Sequence, residues 1–345
     1  MMQRIIVFSL IAFCILLIGT SLIPFSNDVS VGEKINGVNY VSGRAAVSER
    51  NMKPVTAVGA DYLSVIPYAF TRGHRPNVSF NISGQWYGET IDGTINIISE
   101  ARKQGLKIML KPHIWVMGDG WAGEFTLDNE EDWQQWEASF DRYILTYAKL
   151  ADSLHVEIFC MATEFRMVVR KRPDYWNRLI PKIRSVYRGK LTYAANWDNY
   201  QQVQFWDQLD YIGIDAYFPL VHATSAEVDA LRTQWQSIKK EIRNLSMKYK
   251  KPVLFTEYGY QSVDYGAGRH WEINQIASSY NATVQKNAYQ ALFEEFWAEK
   301  WFAGGFLWKW FPNHLSAGGK EDKRFTPQNK PAEQVVKEFY KKYNQ

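Results

Sequence analysis

The stretch 252-PVLFTEYGY-260, with its counterpart 157-EIFCMATEF-165, decides how this chain folds. Each is a short apolar run, rich in aromatic and β-type residues, that carries one carboxylate near its far end: Glu257 in the first and Glu164 in the second. Runs of this length and composition read as buried strands. A charge at the end of a buried strand is costly unless it is solvated, paired or used.

Similar runs recur along the chain. They cover 37–42, 62–70, 107–116, 157–165, 191–197, 211–218, 252–260 and 304–310. Between them lie segments of helical periodicity at 48–59, 89–105, 130–154, 174–188, 225–249, 284–300 and 332–343, with a shorter one at 202–210. Strand–helix alternation with right-handed crossovers implies a parallel sheet, and eight rounds close a (β/α)8 TIM barrel in a single domain. An open doubly wound sheet would carry a glycine-rich phosphate turn after its first strand, and 37-GVNYVSGRAA-46 has none. The longer turns at 71–88, 117–129 and 311–332 then fall on the C-terminal face of the barrel, where this fold builds its active sites.

The 345 residues are 46% hydrophobic and 22% charged, the balance of a globular chain with a substantial core. The formal net charge is +4, and the densest basic cluster is 168-VVRKRPDYWNR-178, too short for a nucleic-acid-binding arm. Fourteen Trp, 20 Tyr and 19 Phe exceed the ordinary aromatic share and suggest sugar-stacking surfaces, although most such rings fill cores. Cys14 and Cys160 are the two cysteines, and they cannot form a disulfide framework within the folded domain. Residues 5–25 form an apolar run after Arg4 of signal-peptide or membrane-anchor type, so the protein is expected to be exported and to work outside the cytoplasm, cleaved from that segment or attached to a membrane by it. Residues 26–34 read as a linker and 35–345 as the catalytic domain, expected to act as a monomer.

Barrel closure would bring Glu164, at the end of the fourth strand, and Glu257, near the end of the seventh, to one mouth. Strand alternation puts Ile158, Cys160, Ala162 and Glu164 on one face, and Phe255, Glu257 and Gly259 on one face. Two carboxyl groups in an aromatic-walled cavity suit glycosidic cleavage, which needs one protonated acid for the leaving oxygen and one ionised group at the anomeric carbon. The plainer alternative pairs each glutamate with a cation such as Lys111, Arg44 or Arg72. Tyr217, beside Asp215 on the mouth-facing side of the sixth strand, is a candidate donor to Glu257, and His113 near the end of the third strand is a candidate substrate contact. The histidines show no HxH or HExxH spacing and the chain has no G-x-S-x-G elbow, so neither a metal, a cofactor nor a serine nucleophile is expected.

With these residues in view, the chain resembles the clan A glycoside hydrolases. Within them, 160-CMATEFR-166, 211-YIGIDAYFPL-220, 253-VLFTEYGY-260 and 325-FTPQNKPAE-333 are similar to segments of glycoside hydrolase family 113, which includes β-1,4-mannanases. The resemblance implies a retaining enzyme with Glu164 as acid/base and Glu257 as nucleophile, acting on a β-linked polysaccharide or oligosaccharide such as mannan. Many clan members place Asn before the acid/base, whereas this chain has Thr163, which leaves the sugar 2-hydroxyl to another residue; Asn196 is the candidate. Trp308, expected to share a face with Phe306 and Trp310, resembles the tryptophan that floors the subsite next to the scissile bond. Tyr40, Trp115, Trp121 and Trp197 are candidates for outer subsites. Another β-glycan, a β-mannoside or a catalytically silent carbohydrate-binding barrel are the competing expectations.

Overall fold

A computed structural model describes residues 29–72, 75–118, 120–273 and 278–344. The apolar run 5–25 and the start of the linker lie outside the described residues. Among those described, no helix is long and apolar enough to cross a membrane.

Eight parallel strands close a barrel: β1 (Ile35–Tyr40), β2 (Tyr62–Val65), β3 (Lys107–Leu110), β4 (Ile158–Thr163), β5 (Lys190–Asn196), β6 (Ile212–Asp215), β7 (Val253–Tyr258) and β8 (Phe302–Trp310). Each pairs with its sequence neighbours, and β8 returns to β1. The connecting helices form the outer ring. The longest, Glu130–Ser153, starts at Asn129, whose side chain accepts the Asp132 amide at 2.8 Å, and places acidic residues in its first turn against the helix dipole. Its inner stripe of Trp133, Trp136, Phe140, Tyr143 and Tyr147 packs on the barrel. Most of the aromatic excess is spent this way: Trp136, Trp176, Trp206, Trp235, Trp297 and Trp310 are fully buried. Each large apolar side chain taken from water stabilises the fold by about 1.5–3 kcal/mol.

Two expected strands are each divided by a proline. Residues 62–70 become β2 and a separate strand Tyr68–Arg72, and residues 107–116 become β3 and His113–Val116. Pro67 and Pro112 stand at matching heights, between the pairs Val65↔Leu110 and Tyr68↔His113. Neither can donate to a ladder, so both strands leave the barrel together. Beyond the prolines they pair in parallel again, and Arg75–Phe80, expected as a turn, adds an antiparallel third strand. Tyr143 Oη ties the break from below, donating to the carbonyls of His113 at 2.9 Å and Pro67 at 3.2 Å. The expected helix at 202–210 is two short 3₁₀ turns, Tyr200–Gln202 and Trp206–Gln208, and the one at 174–188 is preceded by a further short helix, Arg166–Lys171.

Inside the barrel, the lower layer is apolar: Ile35, Met109, Ile158, Cys160, Ala194, Leu254 and Phe306 fill it. Gly37 makes room for Phe306, since a Cβ there would lie 2.2 Å from its ring. The grouping of Phe306, Trp308 and Trp310 on one face does not hold. Phe306 lies in the lumen and Trp310 in the outer core, because the β1–β8 register slips between Val38↔Leu307 and Tyr40↔Trp310.

Candidate active site

The upper lumen is polar. Lys111, just past the end of β3, is fully buried and reaches Glu257 Oε1 at 2.5 Å and Asp215 Oδ1 at 3.2 Å. Thr256 Oγ1 donates to the same Asp215 oxygen at 2.7 Å, and Tyr217 Oη donates to Glu257 Oε2 at 2.6 Å. His113 Nε2 lies 3.6 Å from Glu257 Oε1. Burial first, and the Lys111 charge second, hold this imidazole well below its usual range. The contact is therefore between a neutral ring and a carboxylate rather than an ion pair.

Simple alternation does not aim either glutamate. Leu254 belongs to the lumen and Phe255 to the outer core, where it packs on Phe296 and Phe302; strict alternation would send Glu257 outward with Phe255. A register slip after Phe255, against both β6 and β8, turns Glu257 back into the lumen. In β4, Ile158 and Cys160 face inward but Ala162 packs in the outer core, after a slip between Cys160 and Thr163. Glu164 follows with φ of +53°, a left-handed conformation that costs a non-glycine residue about 1–3 kcal/mol. Its amide is held by the Ala194 carbonyl at 2.7 Å. Irregularities of this kind re-aim side chains beside active sites.

Glu164 Oε2 accepts the Trp121 indole N–H at 2.6 Å. Burial, then the neighbouring Asp215 and Glu257 carboxyls, push the Glu164 carboxyl up to about 8. Asp215 is likewise raised, to about 7, by burial and then by Glu257. The Lys111 ammonium is disfavoured by burial, yet Asp215 and Glu257 outweigh that and raise it. One ammonium thus faces three carboxyl groups, and the low-dielectric site favours protons on Glu164 and Asp215. The result is one carboxyl that can donate a proton and one, Glu257, gripped by an ammonium and a phenol, that can meet positive charge.

Both glutamates line a cavity of about 720 Å³, together with Asn196, Trp197, Tyr217 and Trp308. An adjoining space of about 380 Å³ shares Glu164, Glu257 and Trp308 and adds His113 and Trp115. The sequence candidates therefore converge, with one difference in kind. Tyr40 is buried at 1% exposure in the barrel wall and lines a third cavity beyond Trp308. Asn196 is buried and donates to Asp198 at 3.0 Å. Trp308 stacks on His113, with ring centroids 6.2 Å apart and planes 6° from parallel.

Several functional positions lay outside the sequence candidates. Lys111 was visible only as a possible cation partner and Asp215 only as the mouth-facing neighbour of Tyr217, although Lys111 ends the apolar run 107-KIMLK-111 just as Glu257 ends its own. Arg166 lies over the Trp121 ring at 4.9 Å and pairs with Glu124 and Asp198, steadying the donor to Glu164. Trp271 stacks on Trp197 at 5.5 Å and 9°, extending the wall of the main cavity. It sits in a short helix, His270–Ile273, that has no apolar periodicity to signal it.

Residues 39–330 match the sequence profile of Glycoside Hydrolase Family 113. The chain belongs to this family. Its glycoside hydrolase fold is shared with a family 113 β-1,4-mannanase at 26% identity, covering 90% of this chain and 99% of the other with a TM-score of 0.76. A family 113 β-mannanase from Alicyclobacillus acidocaldarius, solved in complex with ManMIm, matches at 23% identity over 92% of this chain and 100% of its own, with a TM-score of 0.79. The family 5 mannosidase from Rhizomucor miehei shares the fold at 11% identity, 93% and 98% coverage and a TM-score of 0.65. No curated protein sequence matches the chain. This family 113 member is thus a glycoside hydrolase with a (β/α)8 barrel, and a polysaccharide or oligosaccharide is its substrate class.

Proposed function

We propose that this family 113 chain is a retaining endo-β-1,4-mannanase in which Glu257 is the nucleophile and Glu164 the acid/base. The supporting observation is that the two carboxyl groups line one cavity under opposite conditions, Glu164 raised by burial and Glu257 bonded by Lys111 and Tyr217. In the first step a Glu257 oxygen bonds to the anomeric carbon while Glu164 gives its proton to the glycosidic oxygen, whose bond to that carbon breaks. In the second, Glu164 takes a proton from water, the water oxygen bonds to the anomeric carbon, and Glu257 leaves as a carboxylate. Lys111 and Tyr217 keep the attacking group oriented, and the Trp308 face supports the sugar.

Mannan as the substrate rests on family membership and on the mannanases the chain is similar to. The deciding experiment is reducing-sugar release from β-1,4-mannan, glucomannan, xylan and cellulose by the wild type and Glu257→Gln. The expected outcome is cleavage of mannan, reduced on the order of 10⁴-fold or more by the substitution. NMR of the first anomer released reads the stereochemistry, with the β product expected. Activity confined to another glycan would keep the mechanism and remove mannan, and a first-formed α product would remove the covalent step. The run 5–25 would place the barrel outside the cytoplasm, and alkaline extraction of membranes from expressing cells tells a tether from a removed leader.

A further inference from the structure

The segment 325-FTPQNKPAE-333 carries a buried cation to which the two glutamates assign no part. The Lys330 side chain is fully buried, and its ammonium donates to Ser262 Oγ at 2.8 Å, to the Arg324 carbonyl at 2.9 Å and to Asp322 Oδ1 at 3.3 Å. Ser262 Oγ in turn donates to the Asp322 carbonyl at 2.6 Å. The Asp322 carboxylate folds back on the same stretch, accepting the Arg324 amide at 2.8 Å and the Arg324 guanidinium at 2.9 Å. Burial pushes the Lys330 ammonium down to about 8, with Asp322 opposing that fall. An ammonium in such a place is expensive to keep unless its bonds are kept with it.

Those bonds join two loops. Ser262 follows β7, whereas Asp322 and Arg324 belong to the long loop after β8. A second buried side chain makes the same join: Gln285, on the helix Ala282–Phe296, donates to the Tyr260 carbonyl at 2.8 Å and to the Phe325 carbonyl at 3.0 Å. Phe325 is the residue that the join delivers to the active site. It is half-buried, lines the main cavity and stands edge-on to Tyr217, with ring centroids 5.8 Å apart and planes at 73°. Tyr217 is past the end of β6, so no strand ladder fixes its ring, yet its phenol must meet Glu257 Oε2 at 2.6 Å. Lys330 has no surface to offer a substrate, and whatever it contributes passes through the backbone it holds.

We propose that Lys330 is a positioning residue for the nucleophile: by fastening 322–325 to the chain after β7, it seats Phe325 against Tyr217 and keeps the phenol on the Glu257 oxygen that Lys111 does not bind. The inference rests on the nucleophile role given above to Glu257. Two lysines then serve one carboxylate, Lys111 by direct contact and Lys330 through a loop and two rings. Loosening the second should misalign the attacking group while leaving sugar binding intact, which lowers kcat and spares KM.

The test is a double-mutant cycle on mannan, or on whichever of the four glycans is cleaved, with wild type, Lys330→Met, Tyr217→Phe and the two combined, folding being checked by near-UV circular dichroism. Lys330→Met is expected to lower kcat about tenfold with KM changed less than about twofold. In the Tyr217→Phe background the same substitution should cost less than about twofold, because the group it steadies is gone. An unchanged kcat, a loss confined to KM, or losses that multiply in full would each overturn the inference, since a merely structural role does not vanish with the phenol. If Lys330→Met does not fold, Ser262→Ala takes its place in the cycle and is read by the same rule. If wild type cleaves no β-glycan, the nucleophile reading fails, and fluorine NMR of protein carrying fluorotyrosine then decides the clamp, the Tyr217 signal being assigned with Tyr217→Phe. Movement of that signal in Lys330→Met, with the Tyr62 signal at the opposite end of the barrel unmoved, would uphold the clamp. A Tyr217 signal that stays in place, or one that moves along with Tyr62, would remove it.

Discussion

The ends of β4 and β7 perform the same topological task and are built in opposite ways. Glu257 is 5% exposed and held by side chains from three other parts of the barrel wall: Lys111 after β3, Tyr217 after β6 and the nearby His113. Glu164 stands half-buried in a left-handed turn, and its side-chain donor, Trp121, comes from a surface loop steadied by Arg166. A group that must hold a fixed line to a carbon is clamped by the scaffold. A group that must pass a proton out and back stands at the rim, where a loop sets its affinity for that proton.

Replacing Glu164 with alanine should separate the two ends most sharply. Loss of general acid catalysis is expected to lower kcat on mannan by about 10²–10⁴-fold, whereas glycoside formation at Glu257 from an aryl mannoside with an acidic phenol should be much less affected. Equal losses on both substrates, measured by steady-state kinetics, would show that Glu164 does more than move protons. At the other end, Lys111→Met leaves Asp215 and Glu257 without their cation, and chemical denaturation should register a loss of about 3–5 kcal/mol. A change below 1 kcal/mol would mean that the scaffold does not depend on this clamp. The smallest effect is expected at the loop. The Trp121 hydrogen bond lowers the proton affinity of Glu164, so Trp121→Phe should move the alkaline limb of kcat/KM upward from near pH 8. Activity needs the protonated acid and is lost as pH rises through its pKa, so a limb that moved downward would contradict the contact.

The barrel was legible because all eight strands are bounded by turn and helix signals, and the lone carboxylates in 157–165 and 252–260 pointed to the mouth. What alternation could not supply was direction. Glu257 and Glu164 reach the lumen through register slips and a positive φ, features set by neighbouring strands rather than by the period of their own. Pro67 and Pro112 each signalled a break inside an apparent strand, but only their pairing at one height revealed a second sheet. Trp115 was identifiable as an aromatic near a strand end. Trp271 gave no signal, because a four-residue helix inside a loop has too few positions to show a pattern. Lys111 obeyed the rule applied to the glutamates, and the sequence offered it only as one of several cations that could pair with them.

The paired prolines also separate two kinds of inheritance. Below them, every residue of β2 and β3 is tied to the closure of the barrel, and a one-residue insertion would turn lumen side chains outward. Above them, the strands Tyr68–Arg72, Arg75–Phe80 and His113–Val116 pair with each other and rest mainly on the long helix beneath, and His113 at their base is the residue that reaches Trp308 and Glu257. The wall that carries Trp115 can therefore be lengthened, shortened or redecorated while the register that aligns Lys111, Asp215 and Glu257 stays in place, which makes this flap the natural place to redesign chain-length preference.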